Sequence, residues 1–431
     1  MTRITGFYAL YSVQFLLMAC KIFTEVKVGL FSLILTMICL VMTFLQLSRE
    51  TKINWAAGRN GMLGLYSMWA VYCLLEVFNP NNLMESWNIC LMPYALLPLI
   101  CAFIVPIVIR DKKGLELLLF IWSVFILIAT LKGYWQKSHG FSERDRYFLY
   151  ALGGWRTHVI WSGVRYFSCF SDASAYGIHC SMAAITFIIS AFYMKQKWKR
   201  FYFLFVALCA IYGFGISGTR SAMAVIVGGL MMQTLISKNI KAMIISGITV
   251  SMVFCFFYFT EIGNSNPFIF KMRSAFHPLE DASYMVRVQN RTKMKELMAS
   301  KPIGYGIGRS KVNEKADHRD FMPFPPDSWL VSVWVETGII GLVIYILVNG
   351  TLFIWCIWIL MMKVKDKQLR GLGSAWLCMN AGFFLGSYAA DTLQYPNTIV
   401  VYTGFAVCFA ILQIDRNAQQ ISKSTTNSIV T

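Results

Sequence analysis

Long apolar runs, separated by short polar and mostly basic breaks, recur along most of the 431-residue chain. A helix needs about 20 mostly apolar residues to cross a bilayer. Runs of that kind lie near 4–23, 29–47, 61–78, 91–109, 115–135, 178–194, 201–219, 221–237, 242–259, 338–361, 373–390 and 399–414. The pattern predicts an all-α polytopic membrane protein of about twelve transmembrane helices.

The breaks alternate in charge. Arg49, Lys52 and Arg59, then Arg110, Lys112 and Lys113, then Lys195, Lys197, Lys199 and Arg200, then Lys238 and Lys241, then Lys363, Lys365, Lys367 and Arg370 fall on one side. On the other side the short loops 24–28, 79–90 and 391–398 hold only Lys27. The positive-inside rule places the basic loops and both termini in the cytoplasm. Two outer loops are long, 136–177 and 260–328, and long translocated loops escape the charge rule. The expected division is therefore N-terminal helices at 1–135, an extracytoplasmic loop at 136–177 and central helices at 178–259. A large, partly helical extracytoplasmic loop with the candidate chemistry follows at 260–337, between the ninth and tenth spans. C-terminal helices at 338–414 lead to a polar cytoplasmic tail at 415–431, expected to be disordered.

Composition narrows the function. Hydrophobic residues make up 57% of the chain, well above the level of soluble domains. The net charge of +18 does not point to nucleic acid, because most basic residues sit in clusters between spans. The twelve cysteines lie mostly in apolar runs without a CxxC pair, so neither a metal site nor a disulfide framework is expected. Cys90 and Cys169 lie near outer loops, and a bridge between them is not expected. The LMAC ending at Cys20 is read as part of an uncleaved first span. There is no GxxxxGK[ST] phosphate loop, and Gly304, Gly306 and Gly308 have the spacing of a turn rather than of a dinucleotide site. No cytoplasmic segment is long enough for a nucleotide-sugar domain. These absences direct the chemistry to the outer face, with a substrate already there and no cofactor.

Polar residues suited to chemistry collect in the outer loops. Arg220, in GISGTRSAMAV, stands at the outer boundary between two spans, either snorkelling to headgroups or facing a cavity. Arg287 and Arg291 are one turn apart in a segment that reads as helix from Asp281 to Ala299, with Lys295 continuing the line. Two planar forks on one face suit a pyrophosphate, although a basic face resting on anionic lipid has the same spacing. Asp327 and Ser328 precede a helix that they are able to cap, and capping stands beside a catalytic role for Asp327. Glu336 lies one turn before a span. Arg165 and Asp172, in RYFSCFSDASAYG, form a further charged pair near the membrane surface.

Taken together, four segments resemble the O-antigen ligase and polymerase superfamily of bacterial membrane glycosyltransferases. They are RYFSCFSDASAYG, SGTRSA, the Arg287 helix leading to KPIGYGIG, and DSWLVSVWVETGIIGL, in the family's order across roughly residues 165–342. The resemblance implies a metal-independent inverting transferase of GT-C-like architecture, and a donor glycan on undecaprenyl pyrophosphate. It assigns Arg220, Arg287 and Arg291 to the diphosphate, with Arg165 as a further contact, and Asp172, Lys295 and Ser328 to donor or acceptor. Asp327, with Glu336 as second candidate, takes the catalytic place. Where ligases of this family carry histidine, this chain has Asp327, a weaker base, which leaves the general base open and fits the polymerases better.

The resulting expectation is a polysaccharide polymerase in the bacterial plasma membrane. It joins a lipid-linked glycan to another lipid-linked repeat unit, beside chain-length regulator and flippase proteins. A ligase passing finished glycan to lipid A core or another acceptor is the nearest alternative, and a flippase or transporter is the alternative of a different class.

Overall fold

The helical periodicity is realised throughout. The computed structural model describes residues 5–20, 29–50, 53–160, 163–277, 282–311, 322–324, 326–391 and 393–430. It is 80% helical. Among the described residues, eight helices are long and apolar enough to span a membrane: Gly61–Phe78, Met84–Val108, Lys112–His139, Ala173–Tyr193, Lys197–Ser217, Ile240–Phe259, Trp329–Lys363 and Asn397–Gln420. The other four expected spans also fall on helices, Thr5–Cys20, Gly29–Arg49, Arg220–Ile236 and Lys367–Ser387. The protein is thus all-α and polytopic, with the few strand residues described confined to an antiparallel pair, Val159–Ile160 with Gly163–Val164.

Several helices start where sequence chemistry ends them. Asp111, Asp172 and Asp366 each accept from backbone N–H groups of the first turn that lack an intrahelical partner. The Asp172 cap starts the helix at Ala173, five residues before the expected 178. The span expected to end at 135 continues as helix to His139. The span expected from 338 begins at a break at Gly338, and a further helical segment from Trp329, which holds Glu336, leads into it. The tail expected to be disordered continues the last helix to Val430.

The helices form layers of different depth. Of the apolar windows, 89% of Ala173–Tyr193 and 94% of Asn397–Gln420 is buried, whereas Ile240–Phe259 is only 6% buried and presents its apolar side chains outward. In a soluble protein such a face would be a liability; in lipid it is the ordinary outer surface. Helices Arg220–Ile236 and Lys367–Ser387 approach closely through small residues. A Cβ on Gly382 would lie 2.0 Å from the carbonyl oxygen of Val225, so only glycine lets the backbones meet there.

Loops expected to share a side are tied to one another at one end of the bundle. Arg110 pairs with Glu50 at 2.6 Å, Lys112 with Asp366 at 2.5 Å and Lys199 with Glu116 at 2.5 Å. These bonds join four of the basic breaks. Arg165, Arg220, Arg287 and Arg291 make their contacts with other residues of the expected outer loops and span ends.

Candidate functional site

The site is built on a break in one helix. At Gly338 the Trp329–Trp358 helix adopts φ 66° and ψ −170°, and a Cβ there would fall 2.0 Å from the Pro302 carbonyl oxygen. The KPIGYGIG turn docks into this break. Tyr305 and Gly306 donate their backbone N–H groups to the carbonyls of Val335 and Glu336, both at 2.9 Å. Gly304, at φ 79°, lies against the same peptides, and a Cβ there would meet the Glu336 carbonyl at 2.6 Å. Asn79 closes the assembly, donating to the carbonyls of Ile303 and Gly304 at 3.0 and 3.3 Å.

Glu336 belongs to this support. Its side chain is wholly buried, and its two carboxylate oxygens accept from the hydroxyls of Tyr94 and Ser310. Through these two bonds it holds the loop to the span.

The docked turn orients the Ala282–Met298 helix. Met294 and Met298 are buried against Tyr305 and Val335, which fixes the rotation of the helix. Arg287 and Arg291 then lie at the Ser387 end of Lys367–Ser387. Arg291 donates to the Tyr388 hydroxyl at 3.2 Å and to its carbonyl at 3.3 Å, with its guanidinium 4.9 Å from the ring centroid. Arg287 Nε lies 3.9 Å from Asp327 Oδ2, and 33% and 35% of the two side chains is exposed. So long and open a pair contributes little to stability, and a ligand can enter between its members. Lys295, one turn after Arg291 on the same helix, is exposed.

Asp327 is not the cap of the helix that follows. The residue at the cap position is Ser328, whose hydroxyl donates to the Ser387 carbonyl at 3.3 Å, and no side chain caps that helix among the described residues. A carboxylate at a helix start that is not capping is available for other chemistry.

A second cluster lies beside the first. Arg220 opens its helix and donates to Ser274 Oγ at 2.7 Å. Arg165 donates to Thr219 Oγ1 at 2.9 Å, Ser174 Oγ at 3.1 Å, the Thr157 carbonyl at 3.1 Å and the Ser217 carbonyl at 3.3 Å. These acceptors are all neutral, so its charge is oriented without being cancelled by contact. Burial pulls the Arg165 guanidinium below its usual value; nearby Asp172 opposes that shift and Arg220 adds to it. Burial likewise lowers His158, which accepts from the Ala173 N–H at 3.1 Å and holds the loop in place. The two clusters adjoin through backbone: the Ser221 carbonyl oxygen lies 3.0 Å from where a Cβ on Gly386 would stand, two residues before Tyr388.

The structure therefore brings Arg287 to Asp327 and Arg165 close to Asp172 and Arg220, and sets the two groups side by side. Glu336 lies in the helix on which the KPIGYGIG turn docks, and Lys295 is exposed on the same helix as Arg287 and Arg291. Tyr388, Ser274 and His158 escape sequence reasoning, since nothing local marks them; only a tyrosine just past an apolar helix hints at an interfacial role.

An all-α membrane protein with arginines gathered over a re-entering loop, beside an open carboxylate, is the class the fold and site define. A family model described as O-antigen ligase matches residues 203–346, which supports the likeness to the O-antigen ligase/polymerase superfamily. The matched stretch includes Arg220, Arg287, Arg291, Asp327 and the Gly338 break. A search of curated proteins found no match.

Proposed function

We propose that the protein is a polysaccharide polymerase of the bacterial plasma membrane, with both termini cytoplasmic and the site at the outer face. The observation that carries this is Asp327, a non-capping carboxylate paired loosely with Arg287 where the outer loop re-enters the bundle. The donor is a glycan on a polyprenyl pyrophosphate, and the acceptor is a hydroxyl of another lipid-linked unit. The acceptor oxygen bonds to the anomeric carbon as the bond from that carbon to the pyrophosphate oxygen breaks. The electron pair leaves with the pyrophosphate, and the hydroxyl proton passes to the Asp327 carboxylate. In an oxocarbenium-like transition state the hydroxyl becomes acidic as it bonds to carbon, so a weak base suffices late in the step. Arg287, Arg291 and Arg220 stabilise the charge growing on the leaving group, and no metal takes part in the reading.

The family description favours a second reading, in which a finished glycan is passed to a different acceptor. Purified protein in nanodiscs, supplied only with lipid-linked repeat units, separates the two. A polymerase forms a ladder of longer chains. Transfer that appears only when a foreign acceptor is added returns the protein to the ligase reading.

A further inference from the structure

A cavity of about 220 Å³ opens at the basic end of the bundle, between the end of Arg220–Ile236 and the start of Lys367–Ser387. Three cations from two separate breaks line it, Lys238 from one and Lys367 and Arg370 from the other, and no carboxylate is among its lining residues. The acids that bond to the second break face other partners. Asp366 accepts from Lys112 Nζ at 2.5 Å and from the Leu369 N–H at 2.9 Å. Asp415 accepts from the N–H groups of Lys365 and Asp366 at 3.0 and 2.9 Å, and Glu116 from Lys199 and Gln368. Lys238 gives one of the three donors of its ammonium to the Met361 carbonyl, which ties the two breaks together. Gly371 shapes the wall. A Cβ there would lie 2.2 Å from the Tyr193 ring, so only glycine lets that ring line the cavity beside the start of the helix.

Pockets for whole drug-sized ligands begin at about 300 Å³. This one suits a smaller group such as a single phosphate, which one guanidinium fork and two ammonium groups can hold together. Basic pockets between helices at the cytoplasmic face are the chemistry that takes anionic headgroups. The cavity is also far from the reaction site. The two helices that flank it run antiparallel, and their other ends carry Arg220 and the Ser387–Tyr388 segment to which Arg291 bonds. Arg220–Ile236 has 17 residues, so about 25 Å of helix lies between the two places. We infer that this cavity is an anion site at the cytoplasmic face, which holds one phosphate group through Lys238, Lys367 and Arg370. The phosphate belongs to an anionic phospholipid headgroup or is a free phosphate. Bound there, it joins the basic ends of the two helices whose other ends carry the site.

Equilibrium binding to the full chain, stripped of lipid in a neutral detergent, tests this. The probes are inorganic phosphate, a short-chain phosphatidylglycerol and the diacylglycerol with the same tails. Saturable binding of phosphatidylglycerol, and not of diacylglycerol, identifies a headgroup site. Saturable binding of inorganic phosphate, with no gain from the tails, identifies a site for free phosphate. In either case the Lys238→Gln/Arg370→Gln double variant is expected to bind about tenfold more weakly or worse, the size of lost charge-assisted bonds. Lys195→Gln/Lys197→Gln removes two exposed lysines of another basic break, outside the cavity, and is expected to bind as the natural chain does. Any binding at the arginines of the reaction site survives both double variants and cancels in the comparison. Thermal unfolding without a probe checks that the variants are folded. Should Lys238→Gln/Arg370→Gln fail to fold, Lys238→Gln alone, at an exposed position, repeats the test with a smaller loss of the same sign. No saturable binding by the natural chain, or undiminished binding by the cavity variant, overturns the proposal. Equal weakening in Lys195→Gln/Lys197→Gln overturns it too, because surface charge alone would then attract the anion.

Discussion

Asp327→Asn is expected to give a folded protein whose glycan transfer is slower by about 10²-fold or more, the usual contribution of a positioned base. Asparagine keeps the size and polarity of the side chain and caps helices about as well as aspartate, so a structural role would leave the variant active. It cannot take a proton. The cap position belongs to Ser328, and the contact of Asp327 is with Arg287 at 3.9 Å, so little folding energy rests on the carboxylate. Thermal unfolding of the purified variant should therefore match the natural chain. Synthesis rates, measured with lipid-linked repeat units and expression confirmed, should not. Near-normal synthesis would return Asp327 to the structure and leave the acceptor's proton without a destination.

Arg291→Lys is expected to lose most activity, by about 10- to 100-fold, and Arg287→Lys and Arg220→Lys to follow it. Each keeps the charge and removes the planar fork. Arg291 uses two edges and one face at once, since it bonds the hydroxyl and carbonyl of Tyr388 and stacks over its ring. An ammonium has neither the second edge nor the face. If charge alone held the donor's pyrophosphate, lysine would serve almost as well, and rates within about twofold of the natural chain would show it. Tyr388→Phe distinguishes orientation from charge: the ring remains while the hydroxyl bond to Arg291 is lost, so its loss should be smaller than that of Arg291→Lys.

Much of the fold is legible because lipid imposes one rule on it. Every apolar run needs a helix, and each of the twelve expected runs carries one. The errors fall where a polar residue is satisfied by something distant. Glu336 reads as a residue beside the span, and the Gly338 break does follow it, but its partner Tyr94, which donates to it, is 242 positions away in the chain. Asp172 reads as a candidate contact, and its first task is to cap the helix from Ala173. Within the site, the spacing of Arg287 and Arg291 shows their common face, but not that Met294 and Met298 anchor their helix against Tyr305 and Val335. The partners of the arginines were hidden for the same reason. Tyr388 and Ser274 acquire their roles only when separate loops meet at one end of the bundle.

The account depends above all on that end of the bundle facing out of the cytoplasm, where lipid-linked glycans are polymerised. Cysteine accessibility in intact spheroplasts tests this most directly. Ser300 is exposed beside the Arg287 helix, and Lys365 is exposed at the opposite, basic end. The natural chain serves as blank for its own cysteines, most of which are buried. Ser300→Cys is predicted to react with a membrane-impermeant maleimide in intact cells, and Lys365→Cys only after lysis. The reverse pattern would put the arginines and Asp327 in the cytoplasm and contradict the mechanism.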